Sequence, residues 1–461
     1  MKQFKILQKK GFKLFSNWQD LNDKSIYVLG TKNENNFNLY IKKALKKNCK
    51  YIYCHEKFKN KSYDFNINFF YYKSAFEITK ITRIFYTKPK IKIIFITGTN
   101  GKTSIAYGSY KLFNLNGIRS AYIGTLGFYI NSKKVKKLIN TTPDFVELLN
   151  LISNAQKSNC KYIFVEASSI GYKEGRLGNL KYDLCLLTNL KSDHLDYHKN
   201  LKNYHLSKIE LINKHYSHNS KILIQDHKLL NKINRLNKNV YDHQNFVKKN
   251  NLKIDLNTDG SVCIKINENK FNLRIINDFV IKNITSILHI YYSLIKKFPI
   301  ILNKKINPKG RSDIVFNKYR KIIMIDYAHS DDAFRNLLTS LNQQFDNIIV
   351  VYGCGGDRDY SKRSKIARTV SKYSNFQIIT DDNPRNENPK KIRDILLKKS
   401  KNGISIPNRE KAIKYGIDIL SKNSGLLIVA GKGHEDIQIY KNKIIKFSDH
   451  LIVKKYAKNL R

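Results

Sequence analysis

The sequence has few of the residues and none of the segments that build disulfide frameworks, zinc sites or membrane spans. The 461 residues include six cysteines: Cys49, Cys54, Cys160, Cys185, Cys263 and Cys354. Their spacing shows no close metal-type pair, so we interpret them as reduced thiols of an intracellular protein. No apolar run reaches membrane-spanning length, and the lysine-rich residues 1–18 lack the apolar centre of a signal peptide. We therefore expect a cytoplasmic protein without a membrane anchor.

Acidic residues are also scarce. The chain has 36 Asp and Glu residues and 85 Lys and Arg residues, which gives a formal net charge of +49. Such an excess is typical of proteins that bind nucleic acid or anionic membranes. The lysines, however, are spread along the whole chain beside abundant Asn, Ile, Tyr and Phe, and no single arm or stripe collects them. We interpret the charge as a compositional bias, and we expect no specific nucleic-acid partner and no membrane partner. An anionic substrate would still be attracted.

The order of apolar and polar segments predicts an α/β fold. Apolar strands alternate with amphipathic helices in two long series, which favours mostly parallel sheets covered by helices. The predicted strands include Ile91–Ile96, Tyr162–Val165, Leu184–Thr188 and Ile222–Gln225 in the first series, and Ile322–Ile325, Asn347–Tyr352, Phe376–Thr380 and Leu426–Val429 in the second. We predict three domains: a small N-terminal α/β domain (1–88), a central P-loop ATPase-like domain (89–305) and a C-terminal Rossmann-like domain (306–461).

A glycine-containing loop follows the first strand of the central domain. Its sequence is Thr97-Gly98-Thr99-Asn100-Gly101-Lys102-Thr103, and a helix-compatible stretch comes next. A strand that leads through such a loop into a helix leaves backbone N–H groups free to hold phosphates, while the lysine adds charge and the threonine hydroxyl can bind Mg²⁺. Ile96 occupies the place of the first glycine in the general pattern, so the loop is a variant. We predict that it binds a nucleoside triphosphate.

Two further segments of the central domain carry side chains suited to a metal. Glu166 ends a predicted strand, where its carboxylate can reach a metal held by Thr103, and Mg²⁺ prefers a few protein oxygens together with phosphate and water. The strand Leu184–Thr188 leads into a segment with two aspartates and two histidines, Asp193 to His198. A histidine taken alone is more often a structural hydrogen-bonding residue than a ligand.

Polar segments follow four strands of the C-terminal domain. They are Asp326-Tyr327-Ala328-His329, Gly353 to Asp359, Asp381-Asp382-Asn383-Pro384-Arg385 and Gly431-Lys432-Gly433-His434-Glu435. Open α/β sheets bind ligands at the carboxyl ends of their strands, so we predict that these segments meet at one rim.

Together these motifs resemble the Mur ligases, ATP-dependent amide-forming enzymes of peptidoglycan precursor synthesis. The resemblance runs in order through the phosphate loop, Tyr122–Gly127, Thr141-Thr142-Pro143, Glu166–Ser169, Thr188–His198, Lys208, Gly310-Arg311 and the four rim segments. Within the family, the chain looks like the ligases that add meso-diaminopimelate to UDP-N-acetylmuramoyl-L-alanyl-D-glutamate. The resemblance therefore implies these two substrates, with ATP, Mg²⁺ and a monomeric cytoplasmic enzyme.

The resemblance also implies roles for individual residues. Lys102, Glu166, His194 and Lys208 would be catalytic. Thr103 and Glu166 would hold one Mg²⁺, His194 would hold a second, and Lys208 would be a further metal ligand as a carbamate formed with CO₂. The residues implied for ATP are Gly98, Thr99, Asn100, Gly101, Lys102, Thr103, Ser104, Asn283, Arg311 and Asp326. Those implied for the UDP-substrate are Thr141, Thr142, Ser169 and Arg176. Those implied for diaminopimelate are Arg358, Asp382, Asn383, Pro384, Arg385, Gly431 and Glu435. The chemistry agrees, because an arginine pairs with a free carboxylate and Glu435 can receive the distal ammonium.

The sequence departs from the family pattern at three places. Ser312-Asp313 replaces a Met-Glu pair after Arg311, Val280 replaces one of two adenine-side asparagines, and the N-terminal Asp-Ser-Arg is absent. The uridine contacts are therefore not assigned. Two alternatives stay open: a ligase of the same fold for another amino acid such as L-lysine, and a non-catalytic relative associated with nucleic acid.

Overall fold

The computed structural model describes residues 1–30, 34–62, 65–233, 239–256, 262–266, 269–273, 277–303 and 306–460. These residues group into two compact units. The first comprises Met1–Gly98, Phe113–Thr188 and His205–Tyr241, and the second comprises Thr99–Leu112, Asn189–Tyr204 and Asp242–Arg461. Within the described ranges, no helix is long and apolar enough to cross a membrane.

The first unit begins with a four-stranded parallel sheet. Its strands, in spatial order, are β1 (Lys13–Phe15), β2 (Ser25–Leu29), β3 (Tyr51–His55) and β4 (Asn68–Tyr72). The helices of this segment are α1 (Lys2–Lys9), α2 (Glu34–Leu45), α3 (Lys59–Ser62) and α4 (Ala75–Phe85). Every residue of β2 is buried. This pattern is typical of a parallel strand covered by helices on both faces.

A larger sheet follows in the same unit. Its strands are β5 (Lys92–Thr97), β6 (Ser120–Gly124), β7 (Gly127–Ile130), β8 (Lys133–Lys136), β9 (Tyr162–Glu166), β10 (Leu184–Leu187), β11 (Lys221–Ile224) and β12 (Val240–Asp242). Their spatial order is β12-β11-β10-β5-β9-β6-β7-β8. The strands β10, β5, β9 and β6 pair in parallel and are almost wholly buried, whereas β7 and β8 extend the edge as antiparallel strands. The carboxyl ends of β5 and β9 therefore lie at one edge.

The helices between these strands are α5 (Lys102–Leu115), α6 (Phe145–Lys157), α7 (Ser169–Lys173), α8 (Leu195–His198), α9 (Leu201–Lys214) and α10 (Leu230–Ile233). Helix α6 joins the N-terminal sheet to the larger one, because Val146 is part of the apolar cluster that contains Phe4 and Leu14. Its Asn150 accepts a hydrogen bond from the Tyr86 hydroxyl (2.8 Å) and donates one to the Leu14 carbonyl (2.9 Å). The segment before β5 is thus packed firmly against α6.

The second unit contains two further sheets and a hairpin. The helices α11 (His243–Lys249) and α12 (Asp278–Ile295) flank an antiparallel sheet of β13 (Lys253–Leu256), β14 (Val262–Ile266) and β15 (Asn269–Leu273). The second sheet is formed by β16 (Asp313–Lys318), β17 (Lys321–Asp326), β18 (Ile348–Tyr352), β19 (Phe376–Ile379), β20 (Gly403–Ser405) and β21 (Gly425–Ala430). Its order is β16-β17-β21-β18-β19-β20, and all pairs except β16–β17 are parallel. The hairpin is β22 (Ile437–Tyr440) and β23 (Lys443–Lys446).

Helices α13 (Asp331–Asn342), α14 (Ser361–Tyr373) and α15 (Pro389–Leu397) share one apolar cluster with the last sheet, and α16 (Arg409–Lys422) and α17 (Asp449–Tyr456) share another. The predicted α/β class with mostly parallel sheets is confirmed. The four-, eight- and six-stranded sheets each fall within one predicted domain. The boundaries at residues 88 and 305 stay predictions, and residue 305 lies outside the described residues.

Candidate functional site

The phosphate loop is held in shape by its own backbone and by the segment after β10. The loop follows β5, as predicted, and its last two predicted residues, Lys102 and Thr103, already belong to α5. The N–H of Thr99 donates to the Asn189 carbonyl (3.0 Å), and the N–H of Asn100 donates to the Asn189 side chain (3.1 Å). The Lys102 ammonium donates to the Thr99 carbonyl (2.9 Å), so its charge lies within the loop. A cation and backbone N–H groups at a helix N-terminus suit a phosphate chain.

Gly101 shows why this loop requires glycine. Its φ is +88°, in the left-handed region. A Cβ at this position would lie 2.9 Å from Oδ1 of Asn283 and 3.5 Å from the Phe279 ring. Within the second unit, the structure therefore places Asn283, predicted for ATP, directly against the phosphate loop. Val280 is buried beside it on α12.

His194 lies in the same unit, in a left-handed backbone conformation (φ +51°) just before α8. Its Nε2 is 3.6 Å from Oδ2 of Asp193, and Oδ1 of Asp193 accepts a hydrogen bond from Lys362 (2.9 Å). Desolvation lowers the pKa of His194, Asp193 opposes this shift, and the charges of Lys102 and Lys362 add to it. The neutral imidazole, which can bind a metal, is therefore favoured.

Glu166 lies in the first unit, where neighbouring residues fix its carboxylate. It is the last residue of β9 and is completely buried. The Tyr122 hydroxyl and the N–H of Thr125 (3.0 Å) donate to Oε1, and the Thr125 hydroxyl donates to Oε2 (3.2 Å). A Cβ at Gly124 would lie 2.2 Å from Oε1, so glycine is needed there to admit the carboxylate.

The predicted metal ligands fit Mg²⁺ by their chemistry. A threonine hydroxyl and a buried carboxylate are hard oxygen donors, and Mg²⁺ takes few protein ligands when phosphate and water supply the rest. Among the residues that the structure describes, no group of three or more His, Cys, Asp or Glu forms a complete metal cage. Thr103 and His194 belong to the second unit, and Glu166 and Lys208 to the first. Lys208 is buried on α9 (1% exposed). Their joint site stays a prediction.

The four residues predicted for the UDP-substrate all lie in the first unit. The Thr142 hydroxyl accepts a hydrogen bond from the N–H of Ser168 (3.0 Å), and the Thr142 carbonyl accepts one from Nη1 of Arg176 (3.1 Å). Ser169 begins α7, and Thr141 precedes Thr142 in the chain. The structure therefore ties Thr142 and Arg176 together directly.

The rim at the carboxyl ends of β17, β18, β19 and β21 brings the predicted amino-acid residues together. Nδ2 of Asn383 donates to Oε2 of Glu435 (2.9 Å), and the Lys432 ammonium donates to Oδ1 of Asn383 (3.0 Å). The N–H of Ile439, on the hairpin, donates to the same oxygen (3.0 Å). Segments that follow β19 and β21, remote in sequence, thus form one network.

Arg385 lies beside this network in a left-handed conformation (φ +53°). Its Nη1 donates to the Gly356 carbonyl (2.7 Å), while Nε and Nη2 make no hydrogen bond with the described residues. These two nitrogens form the edge of the guanidinium that pairs bidentately with carboxylates. A Cβ at Gly356 would lie 1.8 Å from the Pro384 carbonyl, so glycine lets the two loops approach. Arg358, also predicted here, is exposed on the loop after β18.

One predicted carboxylate, that of Asp382, lies deeper in the rim. Asp382 is buried, and desolvation raises its pKa while Lys432 opposes the shift. Gly431 has a φ of +110°, and a Cβ there would lie 2.4 Å from Oδ2 of Asp382. Asp382 and Gly431 thus shape the rim by close packing.

Asp326, which the sequence predicts for ATP, connects several groups of the second unit. Its carboxylate accepts hydrogen bonds from the N–H groups of Ser312 (2.6 Å) and Ala328 (2.7 Å). Desolvation raises the pKa of Asp326, and Arg311 opposes this shift. The Arg311 guanidinium lies 4.1 Å above the centre of the Tyr327 ring. The Tyr327 hydroxyl in turn donates to Oε1 of Glu435 (3.4 Å).

The sequence did not assign the residues that hold these side chains. Tyr122 and Thr125 lie in a segment that resembles the family, but nothing in the pattern shows that they bind Glu166. Lys362 and Lys432 are two of many lysines, and only their contacts distinguish them.

Comparisons with known proteins match two domain families to the chain. The Mur ligase middle domain family matches residues 96–290, and the Mur ligase glutamate ligase domain family matches residues 310–433. A UDP-N-acetylmuramoyl-L-alanyl-D-glutamate--2,6-diaminopimelate ligase from Anaplasma marginale is 33% identical over 403 residues, which cover 84% of this chain and 82% of that protein. The ligase of the same name from Buchnera aphidicola subsp. Baizongia pistaciae is 33% identical over 459 residues, which cover 93% and 90%.

Solved structures show the same fold. A diaminopimelate ligase with the same full name has a TM-score of 0.57 and 22% identity, covering 97% of this chain and 94% of its own. A MurF ligase from Thermotoga maritima in complex with ADP has a TM-score of 0.62 and 16% identity, covering 91% and 93%. The family matches and the relatives that align over most of their length together show that the chain belongs to the Mur ligase family.

Proposed function

We propose that the protein is an ATP-dependent amide ligase that adds meso-diaminopimelate to UDP-N-acetylmuramoyl-L-alanyl-D-glutamate. The observation that carries this proposal is the rim formed by Arg385, Asn383 and Glu435, in a chain whose relatives carry the name of this ligase. A guanidinium edge and a carboxylate at the same rim match the distal carboxylate and ammonium of diaminopimelate.

The proposed reaction has two chemical steps. The side-chain carboxylate of the D-glutamyl residue attacks the γ-phosphorus of ATP, which forms an acyl phosphate and releases ADP. The amine of diaminopimelate then attacks the acyl carbon, and the tetrahedral intermediate loses a proton and expels phosphate to leave the amide. Lys102 and the loop N–H groups would hold the phosphates and offset their charge through both steps. Asn283, Arg311 and Asp326 would hold the rest of the nucleotide.

Mg²⁺, when bound, would neutralise charge on the transferred phosphoryl group. Thr103 and Glu166 would hold one Mg²⁺ and His194 would hold a second, and Lys208 would serve as a further metal ligand after carbamylation. Carbamylation replaces an ammonium by an oxygen anion, so a lysine that would otherwise repel a cation becomes a ligand. The Tyr122 and Thr125 hydrogen bonds would hold the Glu166 carboxylate in one orientation for this role.

We further propose that the protein acts as a cytoplasmic monomer without a specific nucleic-acid or membrane partner. Its substrates are anions, so the excess of 49 positive charges would assist their encounter with the enzyme at low ionic strength. Thr141, Thr142, Ser169 and Arg176 would bind the UDP-substrate.

The decisive experiment incubates the purified protein with ATP, Mg²⁺, the UDP-dipeptide and either meso-diaminopimelate or L-lysine. We expect phosphate release and a product of the mass of the diaminopimelate amide, with much slower turnover of lysine. Lys102→Ala should abolish turnover, whereas Lys157→Ala, on the exposed side of α6, should not. Preference for lysine would contradict the substrate assignment, and absence of turnover with any amine would contradict the ligase assignment.

A further inference from the structure

Lys432 is the most deeply buried cation of the amino-acid rim. Its side chain has no exposed surface, although it lies between Gly431 and Gly433 in the loop after β21. The ammonium donates to Oδ1 of Asn383 (3.0 Å) and lies 3.4 Å from Oε2 of Glu435. A buried ammonium is stable only when it is paired and hydrogen-bonded, and these two residues provide that environment.

The contacts of Lys432 determine how the Asn383 amide is oriented. Oδ1 of Asn383 accepts hydrogen bonds from Lys432 and from the N–H of Ile439, so it must be the oxygen that faces these donors. Nδ2 therefore faces Glu435 and donates to Oε2. With the amide reversed, its NH₂ would face an ammonium and its oxygen would face a carboxylate. Lys432 and the N–H of Ile439 together make one orientation strongly favoured.

The same network leaves the two oxygens of Glu435 in different environments. Oε2 accepts hydrogen bonds from Asn383 (2.9 Å) and Lys432 (3.4 Å), whereas Oε1 has one longer bond from the Tyr327 hydroxyl (3.4 Å). Glu435 is partly exposed, at 29% of its side chain, while Lys432 is not exposed at all. A ligand that reaches Glu435 would therefore meet its carboxylate and not the lysine.

We propose that Lys432 is a positioning residue that fixes the Asn383 amide and holds Oε2 of Glu435, so that Oε1 faces the distal amino group of the amino-acid substrate. This inference rests on the proposed function. It adds a determinant of amine recognition that lies within the protein and makes no contact with substrate. Its chemistry requires a substrate that carries an ammonium at this end, because the carboxylate is held in place and ready to accept.

The test compares two amines that differ only at this ammonium. One is meso-diaminopimelate, and the other is 2-aminopimelate, which keeps both carboxylates but lacks the distal amino group. The unmodified enzyme should prefer diaminopimelate. Lys432→Met, of similar length but uncharged, should lower kcat/KM for diaminopimelate about tenfold or more, mainly through KM, and should change kcat/KM for 2-aminopimelate much less. The KM values for ATP and the UDP-substrate should stay near those of the unmodified enzyme.

Two further variants make the test specific. Lys443→Met removes an exposed charge from the neighbouring hairpin and should leave the preference unchanged. Asn383→Asp keeps the size of the side chain but removes the donor to Glu435, and should reduce the preference as Lys432→Met does. This second variant tests the inference if Lys432→Met fails to fold, as judged by circular dichroism and melting.

The outcomes separate this inference from the proposed function. If the unmodified enzyme does not use diaminopimelate, the proposed function fails. If it uses diaminopimelate with the expected preference, but either folded variant lowers kcat/KM for both amines equally, Lys432 is merely structural and the inference is overturned. Selective loss for diaminopimelate in the folded variants supports it.

Discussion

Arg385 combines a fixed backbone with a partly uncommitted side chain. One nitrogen of its guanidinium donates a hydrogen bond to the Gly356 carbonyl, and its backbone N–H donates one to the Ile439 carbonyl (3.1 Å). The left-handed φ of +53° is uncommon for a residue with a side chain and costs free energy unless the surroundings enforce it. Such a conformation, held by a hairpin and a glycine loop, agrees with the prediction that the guanidinium binds the amino-acid substrate.

Arg385→Ala should therefore lower kcat/KM for diaminopimelate by roughly a hundredfold or more. Loss of one partner of a desolvated charge pair typically costs about 2–5 kcal/mol. Lysine lacks the distal carboxylate, so the preference for diaminopimelate over lysine should narrow. Arg368→Ala, at an exposed position of α14, serves as the control. Kinetics with both amines decide the matter, since an unchanged ratio would show that Arg385 does not contact the distal carboxylate.

Lys208 supports a second prediction about a single residue. It is 1% exposed on α9, and such deep burial is uncommon for lysine. If it is carbamylated, Lys208→Ala should lose most activity, and added short-chain carboxylates should restore part of it by supplying the missing oxygen anion. Lys202→Ala, at an exposed position of the same helix, should be fully active. Full activity of Lys208→Ala would show that the lysine has no part in catalysis.

A buried ion pair connects two helices and a strand of the C-terminal sheet. Arg409, the first residue of α16, pairs through Nε and Nη2 with both oxygens of Asp449, the first residue of α17 (2.8 Å each), and both side chains are fully buried. Nη2 also donates to the carbonyl of Ala430, the last residue of β21 (2.9 Å). One arginine thus fixes the starts of two helices and the end of the strand that leads into the rim loop.

Arg409→Met should destabilise the protein strongly, because it leaves the Asp449 carboxylate buried without a partner. The expected cost is about 3–5 kcal/mol, seen as a lowered melting temperature. Lys414→Met on the same helix breaks an exposed pair with Asp418 (3.0 Å) and should cost about 1 kcal/mol or less. Thermal melts of both variants test this, and equal shifts would argue against a special role for the buried pair.

Two buried histidines link α11 to α12 and predict a pH dependence. His243 bonds to the Thr285 hydroxyl (2.8 Å), and His289 stacks on Phe246 with ring centres 4.2 Å apart. Burial lowers the pKa of His243 to about 4 and that of His289 to about 3. In the unfolded chain both would titrate near pH 6.5, so below this pH the unfolded state binds more protons. As far as these two histidines affect it, the free energy of unfolding has its full value above about pH 6.5 and falls as the pH drops towards 4.

The melting temperature of His289→Leu, whose new side chain cannot take up a proton, should therefore fall less between pH 7 and pH 5 than that of the unmodified protein. Nδ1 of His289 has no hydrogen-bond partner among the described residues, so leucine breaks no bond at this atom. The exposed His227→Gln is the control and should follow the unmodified protein. Identical pH slopes in all three proteins would contradict the assignment.

The sequence was informative where strands are apolar and buried. The prediction of Tyr162–Val165 matches β9, and that of Ile322–Ile325 matches β17, because a continuous apolar run is required in a doubly covered parallel strand. The edge strand β8, with the sequence KKVK, was not predicted, since exposed polar strands carry no such pattern. Contacts such as that of Lys362 with Asp193 join residues 169 apart in sequence, and no local pattern indicates them.

At the scale of the whole molecule, the excess of positive charge is distributed over both compact units. Adjacent lysines occur at Lys9-Lys10 and Lys46-Lys47 in the first unit and at Lys248-Lys249 and Lys296-Lys297 in the second. A nucleic-acid surface would collect such residues on one face or along one helix. Their dispersal agrees with a general attraction for anions and gives no reason to expect a defined footprint.

We therefore expect only weak binding to nonspecific duplex DNA at physiological salt. Because each phosphate contact releases counterions, the affinity should fall steeply as the salt concentration rises, and the UDP-substrate should not compete with DNA at concentrations that saturate the ligase. Fluorescence anisotropy with a labelled duplex, measured from about 50 to 200 mM salt with and without the UDP-substrate, tests both points. Tight binding that persists at the higher salt and is displaced by the UDP-substrate would show that DNA and substrate share one surface. In that case the charge would have a specific function, and the interpretation as compositional bias would be wrong.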